Sequence, residues 1–262
     1  MPGPHSAAAS LTDLLKLETP PVAMALVDEP PAGVPVFEGP VPSACTMWRV
    51  AEQGVSFAPS AVHGNCPVGA FVLGFDTGEA GQEALGEAVG AMTEAGYIGP
   101  DEPAALPRLE RPRAGVLYGP LAELPLAPDV VLMWLTPAQA MVFQEASGGA
   151  RWESGGQRRA TRTLLGRPTC AAIPAALESL SPTLSLGCLG MRTFTEVAGD
   201  RLMAVVPGAV LDDLVDALSA AVAANPQHAV REGRCCRKPL RKKSNPSVNH
   251  SATSISGMRK RV

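Results

Sequence analysis

No apolar run in this 262-residue sequence reaches the roughly 18–20 residues that a membrane-spanning helix needs. Its N-terminus has no positive charge followed by an apolar stretch, so the pattern of a secretory leader is missing too. The expected location is the cytoplasm, with no membrane partner. Aromatic residues make up only 4% of the chain. Apolar bulk comes instead from Ala, Val and Leu, and 46% of residues are hydrophobic, enough for a large core. Neither G-x-x-x-x-G-K-[ST] nor G-x-G-x-x-G occurs, so nothing supports nucleotide binding. No C-x-x-C occurs either, which excludes the ferredoxin and zinc-ribbon spacings. No Ser/His/Asp order stands out as a hydrolytic triad.

Charge is unevenly spread. Residues 231–262 hold ten Lys/Arg and one Glu, net +9, while the rest of the chain is net −12. An acidic body argues against nucleic-acid binding by the folded part and leaves any such role to the basic tail. The tail, residues 225–262, reads as disordered. Its composition does not resemble the Ala/Gly/Leu-rich body, so a reading-frame artefact is the alternative.

Residues 1–10 are expected to be flexible and 11–17 to form a short amphipathic helix. Residues 22–27, 114–118, 130–135 and 202–206 are apolar and read as buried strands. Helices are expected from Cys45, over 79–96, over 136–143 with Pro137 in the first turn, and over 211–224. The polar segment 148–159 reads as a loop or hairpin. The expected class is α/β, with α+β as the alternative.

The two halves, 11–113 and 114–224, echo each other. Each opens on a buried strand leading to a Pro-marked turn. Each then has a small-residue stretch opening on a cysteine, at Cys45 and Cys170. Some twenty residues on, each has a second cysteine with a glycine close behind: Cys66 with Gly69, and Cys188 with Gly190. The cysteine offsets are 125 and 122 residues, the strand offset 108. Near-equal offsets are what a duplication leaves, with the 148–159 segment as an insertion. Two halves related by a pseudo-two-fold axis would bring distant cysteines together.

In a reducing compartment these thiols are core residues, metal ligands or redox groups rather than disulfides. Four thiolates suit an iron–sulfur centre or tetrahedral zinc. Gly69 and Gly190 would let backbone N–H groups approach such a centre. The competing reading is four buried small hydrophobes. Cys235 and Cys236 are adjacent in the tail and poorly placed to chelate one metal. His63 lies three residues before Cys66 and is a candidate ligand or proton donor, against an ordinary loop histidine. Arg192 follows Cys188 and could balance a thiolate or hold a small anionic substrate, against an ordinary surface arginine.

Several segments carry a family resemblance: residues 21–26, 65–74, 128–132 with 137–141, and 185–192. Together they resemble the bacterial and archaeal family called domain of unknown function 169, over roughly residues 11–224. The resemblance implies that Cys45, Cys66, Cys170 and Cys188 match recurring cysteine positions. One departure is Cys66-Pro67-Val68-Gly69, where the family pattern reads Cys-Pro-Gly-Gly. The resemblance supplies no reaction. The leading expectation is a cytosolic iron–sulfur protein, acting in redox chemistry on a small substrate or as an electron carrier with a redox partner. A metal-free thiol-redox or small-ligand-binding protein is the first alternative, and a structural or regulatory zinc module the second.

Overall fold

Apolar residues at period two build the centre of the fold, because alternate side chains of a strand point to opposite faces of a sheet. Ala23 and Ala25 of β1 (Val22–Val27) enter one core and Val22 and Met24 the other. The same division holds for β4 (Val130–Leu135) and β9 (Leu202–Pro207). In this computed structural model the described residues are 4–39, 47–110, 113–148, 151–152, 158–159, 163–164 and 169–224. For residues 4, 151–152, 158–159, 163–164, 169–170 and 189 the backbone alone is described. Cys45, Cys235, Cys236 and the basic tail lie outside them, as does the middle of the 148–159 segment.

The strand order is β2-β3-β1-β4-β9-β8-β7, with β2 (Ser56–Pro59), β3 (Gly115–Pro120), β8 (Thr183–Ser185) and β7 (Thr163–Leu164) completing the sheet. All pairings among the first six are antiparallel, and only β7 runs parallel to β8. The class is therefore α+β, and the parallel sheet of an α/β fold is not formed. Short β5 (Arg151–Trp152) and β6 (Arg158–Arg159) pair antiparallel within the segment read as a loop or hairpin.

One face of the sheet is covered by α1 (Pro4–Leu15), α5 (Pro137–Ala146) and α8 (Leu211–Ala224). Helix α1 starts well inside the segment expected to be flexible, because Ala7 and Ala8 are buried against this core with Leu11 and Leu15. Helix α5 opens on a capping box between Thr136 and Gln139, with Pro137 in its first turn. Leu211, Leu214, Val215 and Leu218 give α8 a single buried stripe.

The other face carries α2 (Met47–Ala51), α3 (Pro67–Val72), α6 (Thr169–Ser179) and α7 (Leu189–Thr195). Residues 70–72 are the end of α3, and 73–75 form the turn after it. Helix α4 (Gly78–Glu94) has no fully buried residue and rests on α3 through Leu85, Ala88, Val89 and Met92. The described residues form one compact unit, since both halves contribute to one sheet. Among the described residues no helix is long and apolar enough to cross a membrane.

Candidate functional site

The helices of the second face follow the cysteines. Cys66 is the residue before α3, and Cys188 the residue before α7. Both have extended φ values, −123° and −107°, the backbone that hands a loop into a helix. Each is half-buried. The Cys188 sulfur accepts the backbone N–H of Met191 at 3.3 Å, as an N-cap side chain does. Cys170 is the second residue of α6, and Pro174 one turn later has no N–H to offer its carbonyl. Helix α3 packs against α6. Cys45 precedes α2 by two residues in the sequence and lies outside the described residues. Among the described residues no group of three or more His, Cys, Asp or Glu side chains is placed to hold a metal.

His63 lies in the 3-10 turn Ser60–Asn65 and is completely buried. Its Nδ1 is 3.2 Å from the Pro59 carbonyl oxygen, so Nδ1 carries the proton and donates. Its Nε2 is 3.2 Å from the Tyr118 hydroxyl, which then donates to the ring. Burial pushes its pKa down from the usual 6.5 to about 4 against the opposing backbone hydrogen bonds. The ring also packs on Phe75 with 4.9 Å between centroids. His63 is thus a neutral histidine with both nitrogens engaged. Its contact with the cysteine is through backbone, where the Cys66 N–H donates to the His63 carbonyl at 3.0 Å. Pairing of Ser56 with Tyr118 on the neighbouring strand sets Tyr118 on this face. No spacing in the sequence links residues 63 and 118, so this partner was not legible there.

Arg192 closes the far end of α7. Nε and Nη2 donate to the Leu186 carbonyl, Nη2 also to the Arg201 carbonyl at 2.8 Å, and Nη1 to Ala198 at 3.2 Å. The guanidinium ties the loop before α7 to the loop after it, and its donors face backbone rather than sulfur. Gly69 is buried within α3 and Gly190 is half-buried in α7. A Cβ at Gly190 would lie 4.0 Å from the Cys188 sulfur, an ordinary contact, so space there does not demand glycine.

Residues 10–217 match the family described as uncharacterised ArCR, domain of unknown function 169, and the chain belongs to that family. It is also similar to an uncharacterized protein of Methanocaldococcus jannaschii, with 24% identity over 221 residues, covering 80% of this chain and 91% of the archaeal one. No solved structure matches.

Proposed function

For this member of the domain of unknown function 169 family, we propose an internally duplicated fold whose Cys45, Cys66, Cys170 and Cys188 form one four-thiolate centre. The centre takes an iron–sulfur cluster and serves redox chemistry on a small substrate, or electron transfer to a partner protein. The observation that carries this reading is the strand order read outward from the β1–β4 seam: β1-β3-β2 on one side is answered by β4-β9-β8 on the other. In that correspondence Cys66 follows β2 and opens α3, Cys188 follows β8 and opens α7, and β3 falls in the first repeat, so the boundary between repeats lies after Pro120 rather than at residue 113. The offsets of 125 and 122 residues between the cysteine pairs agree with it.

Four cysteine thiolates are the donor set of [2Fe–2S] and [4Fe–4S] centres. The Met191 N–H donated to the Cys188 sulfur is the kind of contact that favours a thiolate and tunes a cluster's potential. A bound cluster would supply one-electron transfer. The chain's own part is to present the thiols from the starts of α3, α6 and α7, with Cys66 held through the His63 carbonyl and α7 through the Arg192 clamp.

The test is iron and acid-labile sulfide in the full chain purified without oxygen. Brown protein with both elements, lost in Cys66→Ser and Cys188→Ser, is the expected result. Colourless, iron-free protein from such a preparation refutes the cluster. About one zinc per chain would then establish the zinc module. No metal, with disulfides that form and reverse among these cysteines, would establish the thiol-redox alternative.

A further inference from the structure

At the end of the sheet a cleft of about 200 Å³ opens beside Trp134 of β4. Arg49 of α2, Glu196 just past α7, and Val197, Ala198 and Arg201 of the following loop line it, with Glu18. The groups differ in how much of their capacity is already used. Arg201 is committed to Glu18 and Asp200. Arg49 directs only Nη1 at Glu52, and among the described residues its Nε and Nη2 have no partner. The Glu196 carboxylate likewise has no ion pair among the described residues. The Trp134 indole is half-buried and backed by Trp48, ring centroids 5.7 Å apart. Among the described residues the cleft thus offers one cationic donor edge, one carboxylate outside any ion pair, and an apolar wall of Trp134, Val197 and Ala198.

Glu196 has a backbone φ of +53°, in the left-handed region. It is the C-cap of α7, and glycine is the residue usual in that conformation at a helix end. A glutamate there gives up stability that glycine would supply. Residues kept in such conformations cluster at ligand sites. The Arg192 clamp on the Leu186, Ala198 and Arg201 carbonyls holds this loop in shape.

We propose that this cleft binds a small aliphatic α-amino acid as its zwitterion, the carboxylate on Arg49, the ammonium on Glu196 and the side chain against Trp134. One positive and one negative partner select a ligand carrying both charges, and the volume limits it to a short side chain. The carboxylates of Glu18, Glu52, Asp200 and Glu196 outnumber the two arginines, so a simple anion is disfavoured. The proposal goes beyond the cysteine centre and does not depend on what the cysteines hold.

The test is calorimetric titration of the full chain with glycine, L-alanine and L-valine, beside L-valinamide and N-acetyl-L-valine. Saturable binding of the free amino acids is expected, weakened about tenfold or more when either charge of the ligand is removed, as loss of one charge-assisted hydrogen-bonded pair implies. Arg49→Gln and Glu196→Gln should each weaken valine by a similar factor. Glu196→Gly is the decisive variant: its melting temperature should stay level or rise while valine affinity falls. Three results overturn the proposal: no heat with any of the amino acids, blocked derivatives binding as tightly as valine, or a folded Glu196→Gly that binds like the native chain. None of these touches the iron and sulfide result, so the two readings fail separately.

Discussion

Acid should weaken this fold through one residue, His63. The imidazole is completely buried, engaged at both nitrogens, and its pKa is pushed down to about 4 from 6.5. Between these values the unfolded chain binds a proton that the folded chain refuses, so stability must fall as pH falls. The contribution is fully present above about pH 6.5. It declines through the window and is exhausted below about pH 4. At roughly 1.4 kcal/mol per pKa unit the whole loss is about 3 kcal/mol, and about 2 kcal/mol of it is gone by pH 5. Carboxylates titrate over the same range, so the measurement must be a difference. Urea unfolding of the native chain and of His63→Gln, from pH 8 down to pH 4.5, isolates the imidazole. Glutamine keeps a donor and an acceptor but does not titrate. The expected outcome is a gap that narrows or reverses by about 2 kcal/mol between pH 8 and pH 5. Parallel stability curves would refute the reasoning. So would an NMR titration placing the His63 ring near its ordinary pKa in the folded protein.

Two further outcomes follow from the same packing. Gly208 donates to the Asp129 carbonyl at 2.7 Å, and a Cβ there would stand 1.8 Å from the Pro128 carbonyl oxygen. Gly208→Ala should cost about 3 kcal/mol, the upper end for overpacking, because the obstacle is backbone; chemical denaturation measures it. Arg192→Met keeps the length of the side chain but removes the donors to three carbonyls. It should cost about 1–2 kcal/mol for partly exposed charged hydrogen bonds, and limited proteolysis should then cut between residues 196 and 201.

How far the site could be read in advance depends on the range of each interaction. The cysteine pairing was visible as matched offsets, but the short helices that Cys66 and Cys188 open were not. The role of His63 was not. Its burial depends on Tyr118, which only strand pairing brings near, and on Phe75 beyond the next helix. Arg192 read as a partner for a thiolate or a small anion, or as a surface arginine, because nothing local announces that three carbonyls of separate loop positions converge on it. The cleft residues Arg49, Trp134 and Glu196 come from three distant segments and share no motif.

Strands β1, β4 and β9 and helices α5 and α8 were determined by the sequence itself. The strands are runs of apolar residues, α8 has an apolar stripe at helical spacing, and α5 is marked by Thr136 and Pro137 at its start. Short elements were different. Strands β2 and β8 have four and three residues and no period of their own, and Pro174 inside α6 obscures a helix that tertiary packing nevertheless keeps. Only the tertiary structure decided that six of the seven strands pair antiparallel, because a buried strand shows the same apolar residues whichever way its neighbour runs. It also decided which face each helix covers, and so placed α3 and α7, with the cysteines before them, on the same side of the sheet.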